Sequence, residues 1–95
     1  MPSQVPSELV LKVIDEGLAV LGDGPAQAIW GQMENLLQAE RSAIPQNLES
    51  FEDGMRRLLG PGYDFVDGIF RIYLQRATGK DLGKYRTFVE CVQAL

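Results

Sequence analysis

Histidine is absent from this 95-residue chain, and cysteine occurs once, at Cys91. Without histidine, the chain lacks the usual general base near neutral pH and the commonest metal ligand in proteins. A histidine-dependent catalytic triad and a zinc site are therefore excluded within a single chain. A lone cysteine cannot form an intramolecular disulfide, so nothing in the composition indicates an oxidising compartment.

An excess of positive charge and long apolar runs are also missing. The formal net charge is −4, whereas nucleic acids and anionic membranes attract surfaces rich in lysine and arginine. No apolar run approaches the ~20 residues that cross a bilayer, and no charged-then-apolar leader begins the chain. We therefore expect a soluble cytoplasmic protein with no membrane contact, and the net charge disfavours nucleic-acid binding.

Two Leu-Gly corners, over residues 21–25 and 59–62, are the most informative features that the chain does contain. Glycine just past a helix end can adopt the left-handed conformation that closes the helix, and proline fits the first helical turn. The corners therefore predict helices that fold sharply back on one another. The expected fold is all-α, a compact bundle of four to five short helices in one domain over residues 1–95, with a flexible leader over residues 1–6.

The spacing of apolar residues predicts helices over about 7–21, 25–38, 47–59, 61–78 and 82–94. Ser7 and Asn47 are the predicted N-caps of the first and third helices. Residues 40–46 are predicted to form a loose connection, in which Pro45 favours extended geometry at Ile44. The solvent-facing side of the fourth helix is predicted to carry Asp64, Asp67, Arg71 and Gln75.

The first helix is apolar on nearly every side, because its charges fall in one narrow stripe, Glu8, Lys12, Asp15 and Glu16. A helix with so little polar face is either central in its domain or shared with a partner chain. Two-fold homodimers are the commonest soluble oligomers, so a symmetric homodimer is the first expectation. A five-helix monomer that buries these faces itself is the alternative. The predicted interaction residues are Leu9, Val13, Val20, Phe88 and Val92.

The corners and the residues around them resemble a small family of all-helical archaeal output domains, the Nitrosopumilus type of ammonia-oxidising archaea. The likeness covers roughly residues 9–70 and rests on Leu21-Gly22, Pro25 and Ala28-Ile29-Trp30, then on Ile44-Pro45-Gln46-Asn47, Glu49, Phe51, Met55, Leu58-Leu59-Gly60-Pro61-Gly62, Val66, Asp67 and Ile69. Leu48 stands where the family often has proline, and Gly24 where it often has serine. The resemblance implies a helical module used in signalling, and it carries no catalytic residues across.

Groups that could carry chemistry have simpler structural interpretations. Cys91 lies among valines on the last helix, which favours a small buried hydrophobe over a nucleophile. The glycine corners match no phosphate-binding fingerprint, and proline removes a donor where one would be needed. Two acidic pairs, Asp15 with Glu16 and Asp64 with Asp67, are interpreted as solvated charge, and Glu52–Arg56 and Asp53–Arg57 as i,i+4 ion pairs. No catalytic residue, cofactor site or metal ligand is predicted, and the chain is not expected to be an enzyme.

Three functions are compatible with these observations. The first is a non-catalytic regulatory or signalling module that acts through protein–protein contacts, as a homodimer or with a signalling partner. The second is a small-molecule sensor with an apolar pocket among its aromatic residues, Trp30, Tyr63, Phe65, Phe70 and Tyr73. The third and weakest is a helix-turn-helix protein that binds nucleic acid through Arg56, Arg57, Arg71 and Arg76, a cluster diluted by Glu52, Asp53, Asp64 and Asp67.

Overall fold

The computed structural model describes residues 6–95 and contains five α-helices. They are α1 (Ser7–Ala19), α2 (Asp23–Leu37), α3 (Leu48–Leu59), α4 (Tyr63–Thr78) and α5 (Phe88–Ala94), with 3₁₀ segments at Arg41–Gln46 and Gly60–Gly62. No strand occurs in residues 6–95, so the predicted all-α bundle is confirmed. Of the predicted leader, only Pro6 belongs to this part of the chain, where it replaces Ser7 as the N-cap of α1. The rest of the leader lies outside the described residues.

The first helix is the central element of the bundle. It packs against α4, α2 and the Arg41–Gln46 segment, and its buried residues are Val10, Val13, Ile14, Gly17 and Leu18. The charged stripe predicted on this helix is exposed. The sequence predicted that this helix is either central in its domain or shared with a partner chain, and in the structure it is central.

Two glycines let neighbouring helices approach closely. A methyl group on Gly17 in α1 would lie 2.6 Å from Cε1 of Phe70 in α4, well inside van der Waals contact. A methyl group on Gly54 in α3 would lie 2.8 Å from Cε of Met33 in α2. The helix contacts on which the core depends are thus built around positions without side chains.

Aromatic rings form a continuous path through this core. The centroid of the Phe70 ring lies 6.2 Å from that of Phe51, 6.4 Å from Tyr63 and 5.2 Å from Phe88, and Trp30 lies 6.5 Å beyond Phe51. All five residues are buried. Aromatic side chains bury the most area per residue, so these rings supply a large share of the hydrophobic stabilisation.

Both predicted corners are present, and each depends on a glycine with positive φ. Gly22 has φ 105° before α2, and Gly60 has φ 58° after α3, values that L-residues rarely adopt. The first corner ends sooner than predicted, because α2 begins at Asp23 and includes Gly24. Gly79, with φ 71°, ends α4 at the predicted residue.

The predicted loose connection over residues 40–46 is wrong in its geometry. Residues Arg41–Gln46 form a 3₁₀ segment that contains Pro45, and Ile44 is fully buried in the core instead of extended. Burial of an isoleucine outweighs the local preference that proline imposes on its predecessor. Asn47 is the N-cap of α3 as predicted, but its side chain donates to the carbonyl of Ala43 instead of capping the helix.

The predicted last helix over residues 82–94 is too long, since α5 begins only at Phe88. Thr87 ends the irregular segment before it, because its hydroxyl accepts a hydrogen bond of 3.1 Å from the Glu90 amide. Thr87 and Glu90 stand in the spacing of a capping box, a sequence signal for this helix start. The preceding segment is held by side chains of α4. None of the helices in residues 6–95 is both long enough and apolar enough to span a bilayer.

Candidate interaction surface

The fourth helix is apolar on two opposite faces. One face enters the core through Tyr63, Val66, Phe70 and Leu74. The other carries the exposed Phe65 and Ile72 and, between them, the half-buried Ile69, whose Cγ2 also lies beside Gly17 of α1. Their spacing of four and three residues places the three along one stripe. We call this stripe, together with Gly68 between its members, the outer face of α4.

The outer face exposes large apolar side chains to solvent. Phe65 is 67% exposed and Ile72 is 48% exposed. Single exposed apolar residues are ordinary, but an aligned group of large ones indicates a contact surface.

A groove of about 470 Å³ runs along this face, between α4 and the loop at Leu82 and Gly83. Its apolar lining comes from Phe65, Gly68, Ile69, Ile72 and Leu82, and its polar lining from Asp64, Arg71 and Gln75. A methyl group added at Gly68 would meet only Nη2 of Arg71, at 3.8 Å. The absence of a side chain at Gly68 therefore leaves space in the groove.

The loop wall of the groove is fixed by hydrogen bonds to the backbone of Leu82. The amide of Leu82 donates to Oε1 of Gln75 at 2.8 Å, and its carbonyl accepts from the amide of Tyr85 at 3.1 Å. The same carbonyl lies 3.8 Å from Sγ of Cys91. The Leu82 side chain is buried, so the groove is a preformed feature of the fold.

Charged side chains flank the groove at different positions along α4. Asp64, near its N-terminal end, has a side chain 74% exposed and accepts a hydrogen bond of 3.0 Å from Nη1 of Arg56. That bond raises the pKa of Arg56. Arg56 was predicted to pair with Glu52 and pairs with Asp64 instead, whereas the predicted Asp53–Arg57 pair is confirmed at 3.2 Å.

Asp67 lies behind the groove and is the main correction to the predicted polar side of α4. It is 3% exposed, and its carboxylate accepts hydrogen bonds from the Phe88 amide at 3.2 and 3.1 Å and from Nε of Arg71 at 3.0 Å. Arg71 also reaches the carbonyl of Tyr85 at 3.5 Å. The carboxylate therefore joins α4 to the N-terminus of α5, where negative charge is favourable.

Two further buried oxygens, Tyr63 Oη and Glu52 Oε1, lie beside this network and make no hydrogen bond of good geometry with the described residues. Burial raises the pKa of Glu52, although the nearby guanidinium of Arg56 opposes the shift. Burial, and then the charges of Asp67 and Glu52, raise the pKa of Tyr63. In both groups, burial therefore shifts the protonation equilibrium toward the neutral form.

The five predicted interaction residues do not share one surface. Val13, Phe88 and Val92 are buried in this chain's own core, and Leu9 is partly buried against it. Val20 is 53% exposed just beyond the end of α1. An interface can therefore use Val20 and the edge of Leu9, but the other three residues are covered by α4, α3 and their neighbours in the fold.

The aromatic residues of the sensor hypothesis are likewise separated. Trp30, Tyr63 and Phe70 lie in the core, Phe65 is on the outer face of α4, and Tyr73 is partly buried. The buried rings contact one another and fill space that a ligand would need. Trp30 is further engaged by Asp15, which accepts a hydrogen bond of 2.6 Å from its Nε1, and by Arg41, which stacks 4.4 Å from its ring centroid.

The arginines considered for nucleic-acid binding are mostly paired with carboxylates. Arg56 contacts Asp64, Arg57 contacts Asp53 and Arg71 contacts Asp67. Arg76 lies 5.7 Å from the ring centroid of Tyr73. Cys91 is fully buried, as predicted, and burial raises the pKa of its thiol.

No group of three or more histidine, cysteine, aspartate or glutamate side chains in residues 6–95 is arranged to hold a metal ion. Comparison of the chain with protein families, with curated proteins and with solved structures found no match. The outer face of α4 is consequently the strongest candidate site, and it is identified from the geometry of this chain alone.

Proposed function

We propose that this chain is a non-catalytic interaction module of a regulatory or signalling system, and that it acts as a homodimer joined through the outer face of α4. The observation that carries the proposal is the exposed Phe65, aligned with Ile69 and Ile72 beside a preformed apolar groove. Burial of such side chains at an interface releases about 25 cal/mol for each Å² of apolar surface.

A second copy of the chain is the occupant that the charges of the groove favour. The groove has an acidic side chain, Asp64, toward one end and a basic one, Arg71, farther along the same flank of α4. A surface with this pattern is complementary to itself when two copies run in opposite directions. A uniformly basic or acidic partner would match only part of it.

The non-catalytic part of the proposal is supported by the state of the reactive groups. Burial raises the pKa of the Cys91 thiol, which keeps it protonated and therefore weakly nucleophilic. The Asp67 carboxylate is already occupied by the Phe88 amide and by Arg71. The likeness of residues 9–70 to archaeal output domains supports the regulatory setting.

Sedimentation equilibrium tests the proposal through the mass of the particle. We expect the wild type to sediment as a dimer at micromolar concentration, at twice the 10.5 kDa of the chain. Phe65→Glu places a charge in the interface and should give a monomer with an unchanged circular-dichroism spectrum. Val20→Glu is the matched control, since it also adds a charge at a half-exposed residue, and it should remain dimeric.

Two results would overturn the proposal. A wild type that sediments as a monomer at these concentrations shows that the outer face does not mediate self-association. A dimer that is dissociated by Val20→Glu and not by Phe65→Glu places the interface at the end of α1 instead.

A further inference from the structure

We infer that the two copies meet with their α4 helices antiparallel, about a two-fold axis between Gly68 and Ile69, so that Phe65 of each copy enters the groove of the other. This inference rests on the proposed homodimer and defines its geometry. It assigns the groove between α4 and the loop at Leu82 as a binding site for an aromatic side chain.

The first argument is the symmetry of the outer face along the helix. Residues at equal distances from the midpoint between Gly68 and Ile69 lie opposite one another in an antiparallel pair. Phe65 then faces Ile72 of the second copy, and Gly68 faces Ile69. The position without a side chain thus receives the branched one, which allows the helices to approach closely at the centre of the contact.

The second argument is the location of the groove wall. The loop at Leu82 and Gly83 stands beside the half of α4 that carries Ile72 and Gln75. The antiparallel arrangement brings Phe65 of the second copy to this half, where apolar side chains lie on both sides. A parallel pair would place the two Phe65 rings together and leave this part of the groove without an occupant.

The third argument is charge. Asp64, Arg71 and Gln75 lie on one flank of α4, the flank that lines the groove. With a rise of about 1.5 Å per residue, the two-fold axis sets Asp64 of one copy between Arg71 and Gln75 of the other. In a parallel two-fold pair this flank of one copy would lie on the opposite side of the contact from the same flank of the other, so Asp64 would not reach Arg71.

Disulfide trapping distinguishes the two directions. Pro61, in the 3₁₀ segment that precedes α4, and Arg76, in the last turn of α4, are exposed and are equal numbers of residues from the proposed axis. Pro61→Cys mixed with Arg76→Cys should cross-link into a heterodimer under mild oxidation. Either variant alone should not cross-link, because identical residues would be about 22 Å apart along the helix, far beyond disulfide reach. Wild type is the control, since its one cysteine is buried.

The outcomes separate this inference from the proposed function. Cross-linking of each variant with itself shows a parallel dimer, which overturns the antiparallel geometry and leaves the interaction surface. A wild-type dimer in which neither variant nor their mixture cross-links also overturns the geometry. A monomeric wild type overturns both.

A charge reversal gives a second readout that requires neither oxidation nor a substitution in the Gly60–Gly62 corner. Asp64→Lys places a positive charge beside Arg71 of the second copy and should raise the dimer dissociation constant about fivefold. Asp53→Lys is the matched control, because Asp53 is a similarly exposed, arginine-paired carboxylate on α3, and it should leave the constant unchanged. An equal effect of both substitutions contradicts the inferred position of Asp64.

Discussion

Replacement of Gly17 by alanine is a direct test of how α1 packs on α4. Alanine in a helix interior is ordinarily more stable than glycine by about 0.8–1.0 kcal/mol. Here the new methyl group would lie 2.6 Å from Cε1 of Phe70. Phe70 is fully buried, and the rings of Phe51, Tyr63 and Phe88 surround it. Displacement of this ring would therefore disturb its buried neighbours.

The expected size of the effect follows from two opposing contributions. Overpacking of a well-packed core costs about 1–3 kcal/mol, and the confined ring places this site at the upper end of that range. Subtraction of the helix-propensity gain of about 1 kcal/mol leaves a net loss of about 2 kcal/mol for Gly17→Ala. For a chain of this size, such a loss lowers the melting temperature by about 8–16 °C.

Thermal and urea unfolding, followed by circular dichroism, measure this loss against a matched control. Gly31 also lies within a helix, α2, but a methyl group there would have no neighbour within 4 Å. Gly31→Ala should therefore stabilise the protein, by about 0.5–1 kcal/mol. The same substitution thus has opposite signs at two helical positions. If Gly17→Ala were as stable as Gly31→Ala, the close contact between α1 and α4 would be refuted.

Two further predictions concern the buried polar groups. Asp67→Ala removes the acceptor of Phe88 and Arg71 and should lower the free energy of unfolding by about 2–3 kcal/mol, with a smaller loss for Asp67→Asn, which retains one acceptor oxygen. Equal urea midpoints for wild type and Asp67→Ala would contradict a stabilising role for the hydrogen bonds that Asp67 accepts from Phe88 and Arg71. For Glu52, burial raises the pKa above the ordinary 4.5. Between the pKa of the unfolded chain and that of the folded protein, only the folded protein keeps this proton. The stability of the wild type therefore falls as pH rises from the first value through the second. The stability of Glu52→Gln relative to wild type should therefore increase between about pH 4 and about pH 7, and a pH-independent difference would contradict the shift.

Most helices were predictable because their apolar residues repeat with helical spacing. The sequence placed the end of α4 at Thr78 and both glycine corners, since glycine and proline act through local backbone geometry. It failed for the last helix, whose apolar residues continue back to Leu82. There the irregular segment is held by Gln75 and Arg71 of α4, partners that no local pattern contains. The capping box at Thr87 was the one local signal for the correct start.

The candidate site was predictable only in part. The excess of apolar surface in the sequence suggested self-association, but it was assigned to the first and last helices. The structure covers those helices and leaves Phe65 and Ile72 of α4 exposed. Apolar residues on more than one side of the fourth helix were the sequence signal for this exposed face. Periodicity shows that a helix has two apolar faces, and it does not show which one the core covers.

The burial of Asp67 and the exposure of Phe65 are two features that the sequence by itself did not predict. Local chemistry determined the all-α class, the glycine corners, the exposed charges of α1 and the burial of Cys91, since each follows from spacing, backbone freedom or hydrophobicity. Tertiary structure decided that a carboxylate is buried to bind the amide of Phe88, and that a phenylalanine remains in solvent. Those outcomes depend on which helix faces compete for one small core, and residues distant along the chain settle that competition.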